Sequence, residues 1–176
     1  PIMNSVFGVY LINEPKGILI EPGPSIAVPY IQEGMKALGM RDLAYIIPTH
    51  IHVDHAGSIG TLARLFPRAK VLVHPHAAKH ALDPSRLIES TQMVWGVDFE
   101  ANLGSLFPVP KGQIRVVEDD EAIPVNGRQL QTLYAPAHAP HQIVIFDRSV
   151  KGIFCGDALG LLAQNAKPFP LPNTAP

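Results

Sequence analysis

The apolar positions of the chain follow two different periods, which predicts a layered arrangement of strands and helices. A helix is predicted from Ser25, as its N-cap, to about Leu38, where Gly39 would end it. The apolar residues of GSIGTLARLF (57–66) fall on one face of a second helix. Short apolar runs predict strands over Val6–Ile12, Gly17–Glu21, LAYIIPT (43–49) and AKVLVHP (69–75).

The second half of the chain changes from helix to strand. Residues 76–107 are predicted to be mainly helical, with breaks near Asp83-Pro84 and Gly96. The strands predicted after this helical insert are QIRVV (113–117), RQLQTLYA (128–135), QIVIFD (142–147) and KGIFCGD (151–157). Alternating strands and helices followed by a run of strands favour a single α/β domain over residues 1–176 with mixed β-sheets.

The segment THIHVDHAG (49–57) places three of the eight histidines of the chain within six positions. It directly follows a predicted strand. In extended backbone, residues two apart point the same way, so His50 and His52 can offer nitrogens to one point. Asp54 and His55 come where the chain turns into a helix and can face a second point. Imidazole nitrogen and carboxylate oxygen suit zinc, iron or manganese better than calcium. A single histidine is more often a surface residue, but this spacing predicts metal binding.

Two later residues add to this cluster. His138 lies in YAPAHAPHQIVIF, within a loop of small residues between two predicted strands. Asp157 follows Gly156 in GIFCGDALG, at the end of another predicted strand. Alone, each is more often a turn or capping residue than a ligand. Together with the first cluster, they predict one metal centre built from distant parts of the chain.

The three motifs THIHVDHAG, APAHAPHQ and FCGDALG resemble those of the metallo-β-lactamase superfamily. Its pattern is HxHxDH, then a later histidine and a later aspartate. The segments GVYLI, GILIEPGPS and AKVLVHP also look like its flanking strands, so the resemblance extends over nearly the whole chain. It implies an αββα sandwich, in which two mixed β-sheets are flanked by helices, with an incomplete C-terminal part.

The resemblance also implies a role for each candidate residue. His50, His52 and His138 would surround a first metal, Asp54 and His55 would belong to a second, and Asp157 would bridge both. The family usually closes the second site with a further C-terminal histidine, whereas His141 is the last histidine here. The common TPGHTPGH motif appears as APAHAPHQ, with both glycines changed. Two divalent metal ions are therefore expected, with zinc first and iron or manganese as alternatives.

The activity implied by the resemblance is hydrolysis of glyoxalase II type. A metal-bound hydroxide would attack an ester, thioester or lactone, and Asp54 would hold that hydroxide as well as bind metal. One alternative is a persulfide dioxygenase with a single iron held by His50, His138 and Asp157. Another is a non-catalytic fragment that only binds metal, which the missing histidine supports. Metal analysis and oxygen uptake would separate these alternatives.

Composition and charge narrow the partners and the compartment. The 176 residues are 47% hydrophobic and 16% charged, which is typical of a globular domain. A net charge of −1 argues against a nucleic-acid partner. No apolar segment approaches the roughly 18 residues needed to cross a membrane. We expect a small-molecule substrate and leave a homodimer open. The single Cys155 excludes an internal disulfide and fits a cytoplasmic location. Both ends look cut, which predicts a fragment of a longer protein.

The remaining candidates have plainer interpretations. His74 could line the pocket, whereas His76 and His80 are favoured as a solvated helix start. His141 is predicted to hydrogen-bond a ligand or the substrate. Cys155 is predicted to be a buried structural thiol. Four apolar residues of the insert are predicted to pack in its core rather than to form an apolar wall of the substrate pocket above the metals: Met93, Trp95, Phe99 and Phe107.

Overall fold

The computed structural model describes residues 8–160 and shows two packed β-sheets with helices against the first. The strands of the first sheet are β1 (Tyr10–Ile12), β2 (Gly17–Ile20), β3 (Leu43–Ile47), β4 (Lys70–Val73) and β5 (Ile114–Val116). The strands of the second sheet are β6 (Glu121–Val125), β7 (Arg128–Tyr134), β8 (Ile143–Asp147) and β9 (Gly152–Phe154). The helices are α1 (Val28–Ala37), α2 (Val53–Ala56), α3 (Ile59–Leu65), α4 (Pro75–Leu82), α5 (Ser85–Trp95) and α6 (Phe99–Leu103).

The first sheet is mixed and covered on both faces. Strand β1 is antiparallel to β2, whereas β2 to β5 run parallel to one another. Along β2, Leu19 faces the helices while Ile18 and Ile20 face the second sheet. Strand β4 divides in the same way, with Val71 and Val73 on the helical side. Strands buried on both faces read as unbroken apolar runs, which explains the sequences GILI and KVLV.

All six helices contribute to the core on the outer face of the first sheet. Within residues 8–160 this gives the helix–sheet–sheet part of the predicted αββα sandwich. The helix predicted from Ser25 begins instead with a 3-10 turn over Ser25–Ala27, and α1 then runs to Ala37. The prediction of Ser25 as an N-cap was wrong, because its hydroxyl donates to the carbonyls of Gly57 and Ser105.

The helical segment between the ligand motifs comprises α4, α5 and α6. The breaks fall where the sequence predicted them, at Asp83-Pro84 and at Gly96, whose φ is 86°. The segment returns to α3 at Gly60, where an added Cβ would lie only 1.8 Å from the carbonyl oxygen of Phe107. Among the described residues, no helix combines the length and apolar character needed to span a bilayer.

The second sheet is antiparallel throughout and contains a strand that the sequence analysis missed. Strand β6 pairs with β7 through the two-residue turn Asn126-Gly127, in which both residues have positive φ. Pro124 hid this strand, since proline lacks an N–H and argues against a central strand. In the described part of the chain β6 is an edge strand, where a proline is tolerated.

A buried ionic contact joins the two sheets at the end away from the histidines. Asp147, which ends β8, is 1% exposed and accepts a hydrogen bond from Arg128 of β7. Arg128 also donates through Nε to Glu14 in the β1–β2 turn, at 3.1 Å. Arg128 therefore connects the second sheet to the β1–β2 turn of the first sheet.

Candidate metal centre

The candidate ligands meet at one edge of the sandwich because each follows the end of a strand or begins a helix. His50 and His52 leave the end of β3, and His55 lies in the short helix α2 that begins at Val53. His138 comes from the β7–β8 loop, and Asp157 from the turn after β9. Residues more than 100 positions apart are thus brought together.

Three imidazoles form the first group of donor atoms. His52 Nδ1 lies 3.0 Å from His50 Nε2 and 3.1 Å from His138 Nε2. Ligand atoms bound to one tetrahedral zinc at 2.0–2.1 Å are separated by roughly 3.4 Å, so this spacing fits such an ion. Burial, helped by the neighbouring His138, lowers the pKa of His52 to about 4. Burial also lowers the pKa of His50 well below its usual value. Both are therefore neutral at pH 7, as metal binding requires.

A second group consists of His50, His55 and Asp157, whose donor atoms all lie within 4.8 Å of one another. Asp157 Oδ1 is 3.3 Å from His55 Nε2, and its Oδ2 is 3.5 Å from His138 Nε2. The Asp157 carboxylate thus lies between the two groups. Asp54 belongs to neither compact group but reaches the second one through His55 Nε2, at 3.4 Å. The structure therefore brings five of the six predicted ligands together and leaves Asp54 beside them.

The electrostatics of the second group favour a positive charge. His55 is surrounded by the carboxylates of Asp157, Asp54 and Glu21. Burial alone would lower the pKa of His55, but these three neighbours raise it to about 12. Burial alone would raise the pKa of Asp54, yet its contacts with His55 lower it below the usual value. A pocket that stabilises a cationic imidazole so strongly has the charge balance that suits a divalent cation.

Glu21 is a site residue that the sequence analysis did not identify. It lies directly after β2, is 6% exposed, and contacts His55 Nδ1 through Oε2. Its Oε1 accepts a hydrogen bond from the backbone N–H of Thr49 at 2.7 Å. Its φ of 55° is unusual for a residue with a side chain and indicates a position held by its surroundings. The available signal was a charged residue after four buried apolar ones, at the edge where β3 also ends.

Thr49 fixes the backbone from which the first histidines project. Its carbonyl accepts a hydrogen bond from the N–H of Ile143 in β8, at 2.8 Å. Its hydroxyl lies 3.1 Å from His50 Nδ1, which orients that ring. Gly156 packs so closely that an added Cβ would be 2.1 Å from the Thr49 hydroxyl oxygen. Thr49 thus joins the motifs that carry the histidines and Asp157.

Gln142 links the His138 loop to the Asp157 turn and was also missed. Its side chain is completely buried, and Nε2 donates to the carbonyl of Cys155 at 3.1 Å. Its backbone N–H donates to Ala139, while its carbonyl accepts from Ala135. Gln142 therefore closes the loop that presents His138 and holds the chain just before Asp157.

Replacing Glu21 with glutamine is expected to lower both zinc affinity and kcat/KM about 10- to 100-fold. The amide can still accept from Thr49, but it removes one of the carboxylates that orient His55 and attract positive charge. Zinc titration of the metal-free protein and steady-state kinetics would measure the two effects. The exposed Glu33 provides the matched control, E33Q, which should change neither. Zinc affinity equal to wild type in E21Q would contradict the role given to Glu21.

The plainer candidates have mixed outcomes. His141 is buried, and its Nδ1 accepts from the backbone N–H of Ile51 at 3.4 Å rather than from a ligand side chain. His76 is exposed at the helix start, as predicted. Cys155 is only half-buried, so its prediction as a fully buried thiol was wrong. Of the four apolar residues in the insert, core packing is confirmed for one and wrong for three, since Phe99 is fully buried while Met93, Trp95 and Phe107 are exposed.

Comparison with known proteins identifies the family. The family model described as the metallo-beta-lactamase superfamily matches residues 9–173, which is nearly the whole chain. The chain belongs to the metallo-beta-lactamase superfamily. The predicted family and fold are thus confirmed, and the histidine cluster described above is able to bind metal.

Individual members of the superfamily are similar at low identity. The metallo-beta-lactamase fold-containing protein ST1585 of Sulfurisphaera tokodaii is 28% identical over 155 residues. The match covers 78% of this chain and 58% of that protein. Its crystal structure matches with a TM-score of 0.74 at 26% identity, covering 94% of this chain and 62% of that one. A hydroxyacylglutathione hydrolase of Prochlorococcus marinus is 24% identical, covering 90% and 51%. The acyl-coenzyme A thioesterase MBLAC2 of Bos taurus is 28% identical, covering 64% and 40%. The chain thus spans between 40% and 58% of the length of these three curated relatives.

Proposed function

We propose that this chain is a metal-dependent hydrolase that cleaves an ester, thioester or lactone of a small molecule. The observation that carries the proposal is the pair of donor groups that share His50, one made of three imidazoles and one that adds the carboxylate of Asp157 to two imidazoles. Divalent cations at such a site, with zinc first and iron or manganese as alternatives, lower the pKa of water to about 7 and polarise a carbonyl group.

The residues of the chain divide the remaining work. His50, His52 and His138 would hold the first cation, and His55 and Asp157 the second, with Asp157 able to contact both. Asp54 would complete the second site and accept a hydrogen bond from the attacking water. Its side chain is 30% exposed, so the carboxylate can be reached from the solvent side. Glu21 and Thr49 would hold the ligands in orientation, which keeps the attacking and scissile atoms aligned.

A thioester is the first choice of substrate. Two of the relatives reported above are named as a hydroxyacylglutathione hydrolase and an acyl-coenzyme A thioesterase. The near-neutral charge of this chain supports a small-molecule substrate rather than a nucleic acid. The single cysteine supports a cytoplasmic location.

The test is elemental analysis of protein purified without added metal, followed by a panel of thioester, lactone and phosphodiester substrates. We expect two zinc-type ions per chain and turnover of thioesters that a chelator abolishes and added zinc restores. One iron per chain with oxygen uptake on a persulfide would support the dioxygenase instead. Metal binding without turnover of any substrate would favour the non-catalytic alternative.

A further inference from the structure

His74 is a buried histidine that belongs to neither donor group. It directly follows β4, the strand that pairs with β3. Strands β3 and β4 are parallel, with Ile46 opposite Val71, so Thr49 and His74, which follow the ends of these strands, leave the sheet at the same edge. On the second sheet, Tyr134 at the end of β7 pairs with Ile143, whose N–H donates to Thr49. His74 and Tyr134 therefore meet at the edge of the sandwich from which His50 also projects.

The contacts of His74 determine which of its nitrogens carries the proton. The ring is 7% exposed and lies 4.3 Å, centroid to centroid, from the ring of Tyr134. Nδ1 accepts a hydrogen bond from the backbone N–H of His76 at 3.1 Å and so caps α4. Burial lowers the pKa of His74, so the ring is neutral at pH 7. The proton of the neutral ring must then reside on Nε2.

That Nε2–H group is available to a ligand. Within residues 8–160 no hydrogen-bond partner is found for this group, and His74 keeps 7% of its surface exposed. The hydroxyl of Tyr134 is already used, since it donates to the carbonyl of Val117 at 2.8 Å. The combination is one fixed donor beside the face of an aromatic ring.

The surrounding charges define what this donor can bind. The Asp119 carboxylate, which accepts from the N–H of Tyr134, is close enough to influence His74 and would repel an anion. The ring of Tyr134 lies 4.3 Å from that of His74, centroid to centroid, so a group bound here must also lie along an aromatic face. An uncharged acceptor, planar enough to lie along the Tyr134 ring, fits both constraints.

We propose that His74 and Tyr134 form a substrate subsite beside the metal centre that binds an uncharged carbonyl oxygen, of a ketone or an amide, through the His74 Nε2–H group. This rests on the proposed hydrolase function and deepens it. The substrate carries a second carbonyl group away from the bond that is cleaved. His74 is a specificity residue and takes no part in bond cleavage.

The test uses the zinc-loaded protein and thioester pairs that differ by one ketone. In one pair the ketone is in the acyl half, as the 4-oxopentanoyl and pentanoyl thioesters of ethanethiol. In the other it is in the thiol half, as the pentanoyl thioesters of 4-sulfanylbutan-2-one and butanethiol. The variant is H74N, because asparagine retains an acceptor that can cap α4 but lacks Nε2–H. H80N, on the same helix, is the control.

For each pair, the measured quantity is the kcat/KM of the thioester with the ketone divided by the kcat/KM of the thioester without it. In H74N this ratio is expected to fall roughly 3- to 10-fold in at least one pair. H80N should leave both ratios at the wild-type value. Using a ratio cancels any loss of folded or metal-loaded protein. Ratios in H74N that stay within twofold of wild type for both pairs would overturn the subsite.

A binding measurement decides the matter even if none of these thioesters is hydrolysed. Protein labelled with ¹⁵N-histidine and loaded with zinc is titrated with 4-oxopentanoate or, as the matched probe, pentanoate. The Nε2 resonance of His74 should shift with the ketone-bearing acid only. Absence of turnover together with this shift would refute the hydrolase but keep the carbonyl subsite. Without turnover, an unshifted resonance, or equal shifts with both acids, would overturn it.

Discussion

Replacing His52 with alanine is expected to remove metal and activity together, lowering kcat about 1000-fold, which corresponds to about 4 kcal/mol. His52 Nδ1 is the atom that both other imidazoles of the first group approach, at 3.0 and 3.1 Å. Without it, the nitrogens of His50 and His138 remain in this group, and two ligands are too few for a stable site. Elemental analysis and thioester turnover, measured on the same preparation, would record both losses.

The control for this substitution is H80A, since His80 lies on α4 and belongs to neither donor group. It should retain the metal content and kcat of wild type. Asp54→Ala is expected to behave like H52A at the second metal, with loss of activity and of part of the metal. Full turnover by a metal-free form of either ligand variant would refute the proposed mechanism.

Replacing Arg128 with methionine is expected to lower the free energy of unfolding by about 3 kcal/mol. The substitution leaves the carboxylate of Asp147 buried at 1% exposure, with the N–H of Ser149 as its one remaining partner among residues 8–160. A buried charge that loses its counter-ion costs far more than an exposed pair contributes. Urea unfolding, with the slope held to the wild-type value, would measure the difference.

Two further variants separate charge from packing. R148M removes an exposed arginine whose side chain, within the described part of the chain, hydrogen-bonds to Gln131 alone, and it should change the unfolding free energy by less than about 0.5 kcal/mol. Adding Asp147→Leu to R128M removes both charges of the contact and should recover at least half of the loss. If R128M were no less stable than R148M, the buried contact would have no structural importance.

The parts of the fold that follow from local sequence were predicted well. Strands β2, β3 and β4 lie inside predicted apolar runs, because all of their positions are buried or half-buried except the exposed Lys70 at the start of β4. The helix breaks at Asp83-Pro84 and Gly96 follow from the backbone limits of proline and glycine. Strand β6 was missed because its proline is acceptable only at an edge, and edge position depends on tertiary structure.

The candidate site shows the same division. Its candidate ligands could be identified because HxHxDH is a local pattern and because His138 and Asp157 follow predicted strands, and their binding of metal stays a prediction. Glu21 and Gln142 could not, since their value lies in contacts across the fold. Glu21 reaches Thr49 and His55 over 28 and 34 positions of sequence, and no spacing rule connects them. The candidate ligands can be recognised along the sequence, whereas the residues that orient them are brought into contact only by the fold.

Pro124 has a consequence for how this protein behaves at high concentration. An edge strand normally presents free N–H and C=O groups that a second molecule can extend into an intermolecular sheet. Strand β6 interrupts that row with a residue that has no N–H to donate. The residue that disguised β6 in the sequence therefore also makes it a poor template for aggregation.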